Sequence, residues 1–154
     1  MKEPFVSKIL KYALYFIFIS GVLMTIALPR ILKWHIYMAV FYDSYIINPG
    51  YRTFLMVFLY TVAIPSLWIV LEMILMLRSV PKGPFIMRNV RALNRIGVIF
   101  LFLAAAFFGK CLLYITILTF LCGVLFIVGG LFAFTLAALI RKAVVFREEN
   151  DLTI

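Results

Sequence analysis

Two charges interrupt otherwise apolar sequence, Glu72 and Lys110, and any chemistry this chain performs would start there. A carboxylate inside an apolar helix is costly and turns toward a partner. Glu72 could therefore alternate between a proton and a cationic substrate, as a small proton-coupled exporter requires. Its position near the end of its apolar run favours a plainer role. It lies about 9 Å by helical rise before Arg78, so an ion pair with Arg78 or Arg141 is within reach. Lys110 is expected nearer the opposite face, snorkelling outward, too far away to pair with Glu72. The remaining inventory is poor in reactive groups. There is one histidine, His35, read as an interfacial side chain, and there are two cysteines, Cys111 and Cys122, read as free thiols. No Ser-His-Asp set, paired histidines or Gly-rich phosphate loop is present. No catalytic, cofactor or metal site is expected, and the chain is not expected to be an enzyme.

A second constellation is built from charge. Wound as a helix, residues 83–96 place Ile86, Val90 and Leu93 on one side and Arg88, Arg91 and Arg95 on the other. Pro84 suits a first helical turn, and Gly83 lets the chain enter it. A helix with an apolar stripe and an arginine stripe is expected to lie flat at a membrane surface, its cations among anionic headgroups. The ending of the chain has the opposite sign: Glu148, Glu149 and Asp151 fall within four residues. These acids could clasp the arginine stripe or offer a docking peptide to a cytoplasmic partner. Exposed pairs of this kind contribute at most about 1 kcal/mol each, so such a clasp would be switchable.

The elements that must hold these groups follow from composition. Of 154 residues, 66% are hydrophobic and 14% charged, and the formal net charge is +9; mean hydropathy is +1.15. A globule this small cannot hide so much apolar surface, so lipid is the expected solvent. The net charge would otherwise suggest nucleic acid. Here the cations flank apolar runs, which is how topology signals are placed, so direct nucleic-acid binding is not expected. The runs give an all-α integral membrane fold with four transmembrane helices, about 12–29, 53–77, 97–117 and 122–141. A cytoplasmic amphipathic connector (78–96) separates the second and third, and a cytoplasmic tail (142–154) closes the chain. The stretch 30–52, with Trp34, Tyr37 and Tyr51 and ending at Asn48-Pro49-Gly50, reads as an interfacial loop or helix plus a turn, not a span. Pro65 should kink the second span, with Ser66 helping to satisfy freed backbone groups. The turn in 96–140 is placed near 118–122, the alternative being Gly109-Lys110.

Eleven Lys/Arg fall in the lead, connector and tail, against four on the other side, which puts both termini in the cytoplasm. Gly129, Ala133 and Ala137 line one face of the last helix, and Ala105 and Gly109 do so on the third. Such faces let helix backbones approach within one chain or across a homodimer seam.

The ending Arg141-Lys142-Ala143-Val144…Glu148-Glu149-Asn150-Asp151-Leu152-Thr153-Ile154 resembles that of a family of small bacterial membrane proteins, domain of unknown function 2975. Pro84-Phe85…Asn89-Val90…Leu93…Arg95-Ile96-Gly97 resembles that family's connector before its third span. This chain departs from the family in opening the connector helix with Phe85-Ile86-Met87-Arg88 in place of a polar cap and acids. The resemblance implies a four-helix protein of the bacterial cytoplasmic membrane without established activity, often encoded beside a small helix-turn-helix regulator. The expected function is therefore regulatory or accessory, by contact with such a cytoplasmic partner. The competing expectation is a small transporter or peptide-immunity protein using Glu72.

Overall fold

A computed structural model describes residues 5–42, 49–79, 86–114 and 116–151. The described chain is all-helical: α1 Phe5–Tyr42, α2 Pro49–Ser79, α3 Met87–Leu113 and α4 Ile117–Asp151. Each contains a stretch long and apolar enough to cross a membrane: Ser7–Trp34, Gly50–Ser79, Met87–Leu113 and Ile117–Asn150. The helices pack in sequence order, antiparallel, as α1 on α2, α2 on α3 and α3 on α4; α3 against α4 is the most extensive contact. Among the described residues α1 meets α2 alone, so the arrangement is an open row and not a closed four-helix bundle.

The core runs along α3. Leu103 is fully buried with Ile69, Ile96 and Ala133, and a second cluster joins Val90, Leu93 and Ala137. Phe58 of α2, Phe107 of α3 and Phe126 of α4 meet in series, the first pair edge to face and the second tilted, with ring centroids 5.3 and 5.2 Å apart. Small residues set the helix spacing. A Cβ added to Gly97 would fall 2.9 Å from the Phe134 ring, and one on Gly130 would fall 3.2 Å from the Gly97 carbonyl oxygen. Ala133 and Ala137 are buried on that face of α4, so this small-residue stripe serves packing within the chain. The Ala105–Gly109 face is exposed, and nothing approaches a Gly109 Cβ within 4 Å.

The boundaries differ from the sequence reading in four places. First, α1 continues through Pro29 to Tyr42, so of the two alternatives for 30–52, loop or helix, residues 30–42 are helix, and that helix is continuous with the first apolar run where a separate interfacial segment was expected. A proline inside a helix removes one hydrogen bond and crowds one carbonyl, a local cost that the flanking turns can absorb. Residues 43–48 lie outside the described residues, and Pro49 and Gly50 begin α2 and do not close a turn. Second, α2 runs from Pro49 to Ser79, past both expected ends at 53 and 77; Pro65 lies inside it, and the Ser66 hydroxyl donates to the Val62 carbonyl at 2.7 Å, the kind of side-chain help expected of Ser66. Third, α3 is unbroken from Met87, so the described part of the amphipathic connector is the first turns of the third helix. Its apolar stripe, Val90 and Leu93, is buried beside α4, so it faces protein where the sequence suggested a bilayer surface. Gly83 and Pro84 lie outside the described residues. Fourth, the turn falls between Leu113 and Ile117, between the two positions considered. There the Tyr114 N–H closes on the Lys110 carbonyl at 2.8 Å, and Phe120 on Thr116 at 3.1 Å.

Candidate functional site

Antiparallel packing collects most of the cations at one end of the row. The start of α1 brings Lys8 and Lys11 and the end of α2 brings Arg78. The start of α3 adds Arg88, Arg91 and Arg95, and the end of α4 adds Arg141, Lys142 and Arg147. Three cross-helix contacts fix this register: Arg78 with Tyr15, Glu72 with Arg95, and the Val90–Ala137 cluster.

Glu72 is 5% exposed, and its partner is neither Arg78 nor Arg141. Arg95 approaches from α3 as a fork, Nε to Oε1 at 2.7 Å and Nη2 to Oε2 at 3.0 Å. This is the bidentate geometry that makes an Arg–carboxylate pair strong and directional. The Trp68 indole N–H, one turn back on α2, donates to Oε1 at 3.4 Å. Helical phase explains why Arg78 fails. Six residues turn the helix by about 600°, which puts Arg78 well away from the face of Glu72. Arg78 instead donates from Nε to the Tyr15 hydroxyl at 2.9 Å and lies 5.7 Å from that ring's centroid, tying α1 to α2. Arg95 is consequently split from Arg88 and Arg91. It is a structural partner whose side chain keeps 55% of its exposure, whereas Arg88 and Arg91 project outward with no ion pair among the described residues.

Just beyond Glu72, the Ser79 hydroxyl lies 2.8 Å from Asn89 Oδ1 and 2.6 Å from the Met76 carbonyl oxygen. Both side chains are buried, so the end of α2 and the start of α3 are joined by a polar pair that sequence inspection passed over. The only cue was two amide- or hydroxyl-bearing residues flanking a short connection. Lys110 sits in the last turn of α3, as expected for a lysine within the third helix. Its Nζ donates to Thr119 Oγ1 at 3.2 Å and lies 5.1 Å from the Phe58 ring centroid. Thr119 also shares a hydrogen bond with Thr116, so the α3–α4 turn is closed by side chains. Cys111 and Cys122 are free and sit on different helices.

The acidic ending extends α4. The helix continues to Asp151, with Glu148 and Glu149 exposed. The arginine stripe and the acids thus share one end of the row, but Arg95, the one member with an ion pair among the described residues, is held by Glu72 and not by the tail. Among the described residues no cluster of three His, Cys, Asp or Glu could hold a metal ion, and no buried side-chain nitrogen or oxygen lacks a partner. What the arrangement offers is a half-exposed ion pair between two helices and a cationic end with an outgoing helix. No protein-family model, curated protein or solved structure matches the chain.

Proposed function

We propose that this chain is a multi-pass protein of the bacterial cytoplasmic membrane, both termini cytoplasmic, that acts as a regulatory or accessory protein by holding a cytoplasmic partner such as a small helix-turn-helix regulator. The observation that carries the reading is the length of α4 together with the charge at its end. Its 35 residues rise about 52 Å, well beyond a hydrocarbon core of about 30 Å. The polar stretch from Arg141 to Asp151 then stands out of the bilayer as helix, beside Arg88 and Arg91 at the start of α3. In this reading the start of α3 lies at the cytoplasmic headgroup level, and the exposed apolar side chains, such as Phe16, Ile26, Leu125 and Phe132, face lipid. The partner is recognised by a surface carrying both signs, Arg88 and Arg91 against Glu148, Glu149 and Asp151, with no reaction catalysed.

The test is capture of the neighbouring gene's product from solubilised membranes. Arg88→Gln with Arg91→Gln, or truncation after Phe146, should abolish capture while leaving the chain in the membrane. Glu72→Gln should leave capture intact. Loss of a transport or resistance phenotype in Glu72→Gln, with capture unaffected by the arginine changes, would reverse the assignment in favour of the transporter.

A further inference from the structure

A groove of about 590 Å³ opens between α3 and α4 at the cationic end, with Asn94, Phe134, Ala138, Arg141, Lys142 and Phe146 along its walls. It exists because Ala137 and Ala138 stand where larger residues would fill the space between the helices. A helical side chain covers the turn N-terminal to its own Cα, so Arg141 overlies Ala137 and Lys142 overlies Ala138. Two cations therefore overhang an apolar floor. Neither they nor Asn94 make a hydrogen bond or ion pair with the described residues, and all three are exposed. Arg91 stands one turn beyond Asn94 on the same exposed face of α3.

Resting on the membrane-spanning reading above, we propose that this groove is a binding site for one anionic phospholipid. Its phosphate is held by Arg141 and Lys142 with the Asn94 amide, and its acyl chains run along Ala138 and Phe134 toward the middle of the helices. Charge complementarity selects this occupant. Unpaired cations at the edge of hydrocarbon are costly, and a phosphate supplies the counter-charge in the place where acyl chains already meet the floor. A zwitterionic lipid fits the floor equally well but brings its own cation to a site that carries two. The groove's volume lies within the range of small-ligand sites, about 300–1,000 Å³.

The test uses the delipidated full chain in detergent, titrated with phosphatidylglycerol or with phosphatidylcholine of the same acyl chains, and weighed intact by native mass spectrometry. One phosphatidylglycerol should remain bound in preference to phosphatidylcholine. Arg141→Gln with Lys142→Gln should weaken its retention roughly tenfold, the effect of losing charged hydrogen-bond donors. Ala138→Phe, which fills the groove and leaves every charge in place, should weaken it equally. Arg88→Gln, outside the groove, should not. Equal retention of the two lipids, or retention unchanged in Ala138→Phe, overturns the proposal. So does a dimer in the same spectra that Ala138→Phe dissolves with lipid retention unchanged, because the groove is then a seam between copies. Carbonate washing of membranes separates the two levels of failure. A chain that stays in the membrane yet shows no lipid preference loses the lipid site alone, and one that washes off loses the spanning reading as well.

Discussion

Replacing Arg95 and replacing Glu72 should have unequal consequences, and the inequality follows from their burial. Glu72 is 5% exposed, whereas the Arg95 side chain is 55% exposed. In Arg95→Met the carboxylate stays buried with only the Trp68 N–H, at 3.4 Å, to hold it. Removing one partner of a fully buried pair costs roughly 3–5 kcal/mol. Because Arg95 is half exposed and partly screened, we expect about 2–3 kcal/mol here. Glu72→Gln leaves an acceptor in place and a guanidinium that can turn to water or headgroups, for a cost of about 1 kcal/mol. Making both sites apolar, Glu72→Met with Arg95→Met, removes the stranded charge and should return the protein to within about 1 kcal/mol of its starting stability. The measurement is reversible unfolding of the detergent-solubilised protein in rising dodecyl sulfate. Trp68 fluorescence is the signal, in a Trp34→Phe background that leaves one tryptophan, beside its Glu72 partner. A Glu72→Gln cost equal to that of Arg95→Met, or additive effects in the double variant, would refute the stranded-carboxylate argument.

Four further outcomes are expected. Gly97→Ala should destabilise the α3–α4 contact by about 1–3 kcal/mol, since its Cβ would meet the Phe134 ring at 2.9 Å. Gly109→Ala, with open space around it, should be neutral or stabilising by up to about 1 kcal/mol in the same unfolding assay. A Gly109→Ala variant that instead loses a dimer on size-exclusion chromatography would assign the Ala105–Gly109 face to a homodimer seam. Tyr15→Phe should loosen α1 from α2, because the hydroxyl accepts from Arg78 at 2.9 Å; faster proteolysis within α1, with α3 and α4 unaffected, is the readout. Reporter fusions at the two ends should report the same compartment, and opposite compartments would contradict an even number of crossings.

The helix count was legible because each apolar run exceeds what a soluble helix can bury, and length alone then separates four helices long enough to cross a membrane. Boundaries were less legible, for reasons that are local. The stretch 30–42 carries Arg30, Lys33 and aromatic rings, which mark an interface by composition but do not stop a helix, and no Gly or Asn follows Pro29 to end it. Between Leu113, where α3 ends, and Ile117, where α4 begins, the sequence contains neither Gly nor Pro. Only its run of aromatic and β-branched residues, mildly unfavourable to helix, marked the place. Glu72 was legible as a buried acid in need of a partner, but counting rise without counting phase pointed to Arg78. Phase alone excludes Arg78; selecting Arg95 over Arg141 needs the packing order of α2 against α3, which no single-helix pattern carries.

That pairing divides the work of the cationic end. One arginine of the α3 stripe is spent inside the fold, bridging α2 and α3 through Glu72. Removing all three arginines at once would therefore confound loss of a surface with loss of a helix–helix tie. Under the proposed function Arg88 and Arg91 remain for a partner, while Arg141 and Lys142 overhang the groove between α3 and α4. Their separation along two helices means that a headgroup in the groove and a protein on the outgoing turns of α4 need not compete for the same cation. Substituting Arg88 with Arg91, or Arg141 with Lys142, as pairs and never as a set, tests each role without disturbing the other.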